Sequence, residues 1–434
     1  MPNGTRSNVR WFLIFWLFIL SAVAFLDRVN LSIAGNAIMS EFHLTNIQLG
    51  YVLSAFLMGY ALFQTPGGWL ADRLGPRKVL AIGVAWWGIF TALTAVVSPR
   101  IAFAVLVFVC IRFLLGAGEA IIYPASNQFV SQWIPTLERG RANGVIFAGV
   151  GVGSGATPLL ITYIATHFGW RWSFWISSLI GLIVGLAWYL IARDSPEEHP
   201  WVSPSELAWI QGGRTSSQAS SSAAAPQKAL VPWEIILTSG NVWAITLSYF
   251  CFGYVAWIFF GWFYIYLAQV RGVNLKSSAI FSTIVFLTMA VCSPLGGAIS
   301  DALAKSQGKR IARASIAIFA LTLACIFLVI GSRSASATLA SLVLAGGAGA
   351  LYLSQSSFWS VTADIAAGSS GSVSGFMNMG AQFGGMVTTS LTPIIAARFG
   401  WNASFIVAAV MALMGASLWF VVNPEKGLET EAKL

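Results

Sequence analysis

Four ionisable residues sit where an apolar chain should exclude them. Asp27 and Arg28 stand side by side inside the run Trp11 to Ile38, and Arg112 and Glu119 stand seven residues apart inside a second apolar run. A hydrocarbon core about 30 Å thick is crossed by roughly 20 helical residues, and a charge near its centre costs about 3 kcal/mol on insertion scales. The chemistry open to two arginines and two carboxyls is anion binding and proton exchange. A planar guanidinium grips a carboxylate through two hydrogen bonds. Burial favours a protonated carboxyl and a neighbouring guanidinium favours the ionised form, so an arginine that moves between an anion and a carboxylate also moves protons. The structural alternative is a self-neutralising or snorkelling Asp27–Arg28 pair and an ion pair on the fourth span with no coupling role.

Spacing refines this. Residues seven apart on a helix share a face about 10 Å apart along the axis, so Arg112 and Glu119 look into one cavity. Neighbours in sequence point about 100° apart, so Asp27 and Arg28 need not be each other's partner. Counted from the span ends, Arg112 falls near mid-bilayer, Glu119 nearer the cytoplasm, and Asp27 and Arg28 in the outer half. That count leaves the two carboxyls at different depths. The expected division of labour is a proton on Asp27 and an anion on Arg28.

The elements that position these residues are twelve apolar spans. Six lie near 11–37, 47–70, 79–97, 101–130, 141–166 and 172–192, and six near 240–269, 277–300, 311–331, 336–364, 371–397 and 401–422. The expected fold is an all-α membrane protein of two six-helix pseudo-symmetric bundles, over 1–193 and 234–434, joined by a linker over 194–233. The linker's Ser/Ala-rich run from Thr215 to Ala225 reads as flexible. Most of the 24 Lys and Arg residues fall on the side of the N-terminus and linker, which places both termini in the cytoplasm. The first span follows Arg6 and Arg10 directly and is too long for a signal-peptide core, so it reads as a retained anchor.

Composition agrees. The 434 residues are 57% hydrophobic and 9% charged, with a mean hydropathy of +0.76, against about 25% charged in soluble domains. The net charge of +9 follows topology rather than a basic domain, so nucleic acid is not an expected partner. Cys110, Cys251, Cys292 and Cys325 lie in apolar segments without metal-like spacing, and His43, His167 and His199 fall between spans. Neither a metal nor a cofactor is expected. No nucleophile and base meet within one half, so an enzyme is not expected either.

A repeat joins the halves. Gly68-Trp-Leu-Ala-Asp72-Arg73-Leu-Gly75-Pro-Arg77-Lys78 is echoed by Gly297-Ala-Ile-Ser-Asp301 and Lys309-Arg310, and Phe168-Gly-Trp-Arg-Trp-Ser-Phe174 by Phe399-Gly-Trp-Asn-Ala-Ser-Phe405, at nearly one offset. Parallel repeats of this kind belong to rocking-bundle transporters with a midplane site. Asp72 suits a helix-end cap, while Arg73, Arg77 and Lys78 suit carbonyl ends and carboxylates across the seam between halves. The alternative is that they are only inside-facing positive charges.

The stretch Gly68 to Lys78 resembles the cytoplasmic loop motif of the major facilitator superfamily, Gly-x-x-x-Asp-Arg-x-Gly-Arg-Arg-Lys, with Pro76 at the first of the paired Arg positions. Leu26-Asp27-Arg28-Val29-Asn30-Leu31-Ser32-Ile33-Ala34, with Arg112 to Ala120 and Tyr123-Pro124, resembles its anion:cation symporter family. The resemblance implies a proton-coupled symporter of the cell membrane, working as a monomer, that imports a small organic anion such as a hexuronate, aldonate or aldarate. It implies protonation at Asp27 and Glu119, coupling by Arg112, and substrate binding by Arg28, Tyr60 and the amides Asn378 and Gln382. Gln64 shares a helix face with Tyr60, and Tyr254 and Trp257 are chosen from the aromatic stripe of the seventh span. Ser356, Ser357 and Trp359 are weaker candidates, and Asp364 reads as a helix-end or seam partner.

Glycines crowd the fifth span (Gly144, Gly149, Gly151, Gly153, Gly155) and the eleventh (Gly371, Gly375, Gly380, Gly384, Gly385), where small residues allow close helix packing. Gly149 to Gly151 align where sugar-acid relatives often carry a polar side chain. An aromatic, phthalate-like carboxylate is therefore the alternative substrate, and a sodium-coupled or uncoupled carrier the alternative mechanism.

Overall fold

The computed structural model describes residues 7–44, 46–101, 103–212, 230–263, 266–273 and 275–428. The described residues are helical throughout, without strands. The first half holds α1 (Val9–Phe42), α2 (Asn46–Leu74), α3 (Pro76–Val96), α4 (Ala104–Glu119), α5 (Ile122–Trp133), α6 (Arg139–Phe168) and α7 (Trp170–Ile191). Short helix α8 (Pro204–Gly212) lies within the linker and α9 (Trp233–Thr238) follows it, and the linker's Ser/Ala run lies outside the described residues. The second half holds α10 (Gly240–Gly261), α11 (Leu275–Gln307), α12 (Lys309–Arg333), α13 (Ala337–Leu353), α14 (Gln355–Ile365), α15 (Ser370–Phe399) and α16 (Trp401–Leu418).

Two of the twelve expected spans are each divided into two α-helices, and the α-helix of the seventh ends early at Gly261, with a π-helical turn at Tyr266–Val270. The fourth is α4 plus α5, because Pro124 has no N–H for the carbonyl four residues earlier, that of Ala120, and its ring crowds that turn. The tenth is α13 plus α14, divided at Ser354, whose hydroxyl bonds back to the Leu351 carbonyl at 2.6 Å and competes with the helix ladder. Nine helices among the described residues are long and apolar enough to cross a membrane. The long helices outside that group, α2, α6 and α15, carry the glycines and polar residues of the inter-half seam.

The repeat extends to packing. In the first half α1 packs on α6, α2 on α4 and α3 on α7; in the second, α10 packs on α15, α11 on α13 and α12 on α16. Glycines in the left-handed region turn the chain at matching corners, Gly75 with Gly308 and Gly169 with Gly400, at φ between 81° and 88°, where a Cβ would strain the backbone. The halves meet where α6 packs on α11 and α2 on α15.

The seam at the linker face is built by exchanged caps. Asp72 on α2 accepts from the backbone N–H groups of Gly371 (2.9 Å) and Ser372 (2.7 Å) and from the Ser372 hydroxyl (2.6 Å), so it caps α15 of the other half. Asp301 on α11 accepts from the N–H groups of Gly140 (3.0 Å) and Arg141 (2.6 Å) and caps α6. Neither helix has a side-chain cap from its own N-cap residue. The approach needs glycine: a Cβ on Gly68 would lie 2.0 Å from the Gly371 carbonyl oxygen, and one on Gly297 2.0 Å from that of Gly140.

The cations of this seam are not the expected ones. Arg77 stays in its own half, with its N–H on Asp194 (2.8 Å) and its Nε on the Tyr189 carbonyl (2.9 Å). Arg73 lies over the Trp69 ring, and Lys78 makes no contact across the seam in the geometry described. Positive charge crosses instead through Arg139, on Asp364 at 2.6 Å, and Arg313, on Asp301 at 2.7 Å and the Thr136 carbonyl at 3.1 Å. Arg77 and Lys78 follow α3 away from the seam and Arg73 turns onto Trp69 of its own helix, whereas Arg139 and Arg313 lie in the first turns of helices that point into it.

On the same face Glu206 of α8 is fully buried and accepts from the N–H groups of Val9 (3.1 Å) and Arg10 (3.2 Å) and from the Arg10 guanidinium (2.9 Å). The linker thereby caps α1. Asp72→Ala and Asp301→Ala each remove a trans cap worth about 1–2 kcal/mol. In electron–electron resonance between labels at Leu74 and Gln307, each variant is expected to shift the distance distribution to longer values; an unchanged distribution rules out the caps as the closure.

Candidate functional site

Between the halves lies a cavity of about 460 Å³. α1 brings Phe25 and Arg28 to it, α2 Phe56 and Tyr60, α4 Arg112, and α5 Tyr123; from the second half come Tyr249 and Trp257 of α10, Tyr352 and Gln355 of the broken tenth span, and Asn378 and Gln382 of α15. The lining reaches Gly261, the last residue of α10, toward the face opposite the linker.

Helix lengths correct the expected depths. α1 runs on to Phe42 and α4 begins only at Ala104, so Arg28 and Glu119 both lie about 21–22 Å from the face opposite the linker at 1.5 Å per residue. Asp27 and Arg28 stay just on the outer side of the midpoint of α1, as expected, and it is Glu119 that lies less deep than its count from the span end gave. The matched depth lets the Arg28 Nε donate to Glu119 Oε1 across the α1–α4 gap. Arg112, two turns away on α4, is not the partner of Glu119.

The remaining charges are thinly satisfied. Glu119 is fully buried and its Oε2 has no hydrogen-bond partner, nor has Nη2 of Arg28. The Arg28 guanidinium lies 4.4 Å from the Phe25 ring centre and 4.3 Å from that of Tyr60, a cation–π cradle. Arg112 is 1% exposed, with Nε and Nη1 unpartnered and its guanidinium 4.9 Å over Phe56. Asp27 is 1% exposed and neither carboxylate oxygen has a hydrogen bond of good geometry; Trp87, Thr91, Arg112 and Glu119 surround it. Two positive and two negative groups are thus buried together around one direct ion pair, an arrangement costly unless charge or protons are exchanged.

The other expected residues divide. Gln64 does not reach the cavity; its Oε1 accepts from Asn378 Nδ2 at 2.9 Å and so ties α2 to α15 across the seam. Gln382 lines the cavity with its Oε1 unpartnered, and Trp257 lines it against Gly385. Tyr254 is turned away toward Thr388 and Thr392, which corrects its choice as a cavity residue. The α10 face that does line the cavity runs Tyr249, Gly253, Ala256, Phe260. Its two small residues hide the helical period from a search for aromatic stripes. Tyr123 and Gln355 were likewise missed; Tyr123, whose hydroxyl lies 2.9 Å from that of Ser21, sits next to Pro124, and the helix break there was the available signal. Ser356 bonds the Ser293 carbonyl at 3.0 Å, a packing role.

The α6 glycines face helices rather than the cavity. A Cβ on Gly149 would meet the Phe18 carbonyl of α1 at 2.5 Å, and one on Gly151 the Phe286 carbonyl of α11 at 2.4 Å. Phe147 and Val150 present α6 to the cavity, so this wall is apolar.

Comparison with known proteins agrees with this architecture. The Major Facilitator Superfamily profile matches residues 17–389 and 309–433. The chain is 32% identical to a protein of Cupriavidus necator described as a probable sulfoacetate transporter, SauU, over 96% of this chain and 95% of that one. It is 30% identical to a Bacillus subtilis protein described as a probable galactarate/D-glucarate transporter, GudP, over 76% and 73%. Among solved structures, the proton:xylose symporter XylE shares the fold at a TM-score of 0.75 and 16% identity, over 98% of this chain and 99% of that one. With twelve spans in two repeated halves around a central cavity, the chain belongs to the Major Facilitator Superfamily of membrane transporters.

Proposed function

We propose that the protein is a proton-coupled symporter that imports a small organic anion of the sugar-acid class, a hexuronate, aldonate or aldarate, by alternating access. The observation that carries this reading is the buried Arg28–Glu119 pair at the cavity wall, beside a buried Asp27 whose oxygens make no hydrogen bond of good geometry. The transporters of sulfoacetate and of galactarate/D-glucarate among its relatives support an organic anion as cargo.

The steps follow from charge. A substrate carboxylate entering the cavity competes with Glu119 for Arg28, whose Nη2 is free to complete a bidentate contact. Glu119 loses its cation and takes a proton, and Asp27 takes the other. Arg112, unpaired above Phe56, compensates whichever carboxyl is ionised and so couples the two. With the linker and termini taken as cytoplasmic by the positive-inside rule, the closed linker face supports an outward-facing state, of a carrier we take to work as a monomer in the cell membrane. Loading leaves both carboxyls protonated and the anion on Arg28, the halves rock, and the trans caps release to the cytoplasm. A second reading, an aromatic carboxylate, is favoured by the rings of Phe25, Phe56, Phe147 and Phe252 in the wall.

In proteoliposomes, Glu119→Gln is expected to abolish accumulation driven by an imposed pH gradient while exchange of labelled substrate persists; undiminished accumulation removes Glu119 from the mechanism. Uptake driven by sodium alone, with no response to the pH gradient, rejects proton coupling for the native protein.

Arg28→Lys keeps the charge and loses the planar fork. It is expected to weaken binding of glucarate, or of phthalate under the second reading, about 10- to 100-fold, measured by competition against labelled substrate. Equal affinity of wild type and variant excludes Arg28 as the anion site.

A further inference from the structure

The anion and proton chemistry leaves one polar cluster of the cavity wall unused. On the second half, the hydroxyl oxygen of Tyr249 (α10) accepts from Gln355 Nε2 at 2.7 Å and from Trp359 Nε1 at 2.8 Å, both on α14. A phenol has one proton to donate, and with its oxygen occupied by two N–H groups that proton is what it offers. Gln355 uses its amide N–H on Tyr249 and leaves Oε1 without a partner, although the residue is only 3% exposed. Both side chains line the cavity. Phe252 and Phe358, with ring centres 5.0 and 4.8 Å from that of Tyr249, fix the phenol's plane.

The wall therefore holds a neutral donor beside a neutral, unsatisfied acceptor. A hydroxyl both accepts and donates through one oxygen and answers the two together. A carboxylate brings acceptors only and sets its charge against Gln355 Oε1, while an unsubstituted ring or alkyl chain leaves a buried polar atom unpaired. Turning the Gln355 amide over puts Nε2 at the wall in place of Oε1, and a hydroxyl answers that atom as well.

We propose that Tyr249 and Gln355 form a hydroxyl-binding subsite, oriented by Trp359, that selects hydroxylated organic acids over their unhydroxylated counterparts. The inference rests on the organic-anion reading above and sharpens it, since a site built to bond a hydroxyl rejects the analogue lacking one.

The test is binding by the full-length purified protein of two matched pairs, D-gluconate with hexanoate and D-glucarate with adipate, by calorimetry, with benzoate as an aromatic control. Wild type is expected to prefer the hydroxylated acid in at least one pair by about tenfold or more. Tyr249→Phe and Gln355→Met should each cut that preference about three- to tenfold by weakening the hydroxylated acid while leaving its counterpart unchanged. Gln355→Met keeps the Tyr249–Trp359 bond, so it serves if Tyr249→Phe fails to fold. A preference that survives in the folded variants, equal weakening of both members of a pair, or a wild type that prefers hexanoate, adipate or benzoate overturns the subsite and leaves the anion reading standing. If wild type binds none of the five acids, the anion reading fails and the subsite with it.

Discussion

Two opposite charges inside a membrane are tolerable only while each has somewhere to put its field, and the contact between Arg28 and Glu119 meets that condition for one pair. It depends on two helix lengths. α1 must extend to Phe42 and α4 must begin at Ala104 for the two side chains to share a depth. The pair also leaves Asp27 and Arg112 buried without equivalent bonds, so the site contains one satisfied ion pair and one unsatisfied couple. A buried ion pair seldom adds stability over apolar packing. The symport proposed above would draw on this pair as charge that can be transferred.

The helices around this site are closely packed. Close glycine contacts bring α6 against α1 and α11, and α2 against α15. Gln64 and Asn378 bridge the halves at the cavity's edge, where the sequence reading had two separate ligands. Closure at the linker face and openness of the charged site are consequences of the same helix contacts.

The number of spans, the repeat and the family were legible in the sequence because each rests on local features: apolar length, charge asymmetry and loop motifs. Asp27, Arg28, Arg112 and Glu119 stood out because buried charge is expensive wherever it occurs. Their pairing was not legible, since an error of a few residues in a span end moves a side chain by a helical turn. Tyr254 was preferred to Tyr249 because ring content was read without the small residues that complete a helical face. The seam cations were assigned to Arg73, Arg77 and Lys78 by proximity to the motif, whereas Arg139 and Arg313 act from helix starts that no local pattern marks. The broken fourth span was readable from Pro124 but was joined through by its hydropathy.

The exchanged aspartate caps have a kinetic consequence. Because each half holds the first turn of a helix belonging to the other, drawing the halves apart at this face breaks both the Asp72 and the Asp301 caps, and the closure behaves as a double latch. With about 1–2 kcal/mol in each cap, the two together hold the shut form over the released one by a factor on the order of a hundred at 1.4 kcal/mol per decade. On the alternating-access reading proposed above, an empty carrier then opens this face only through joint failure of two bonds rather than of either alone.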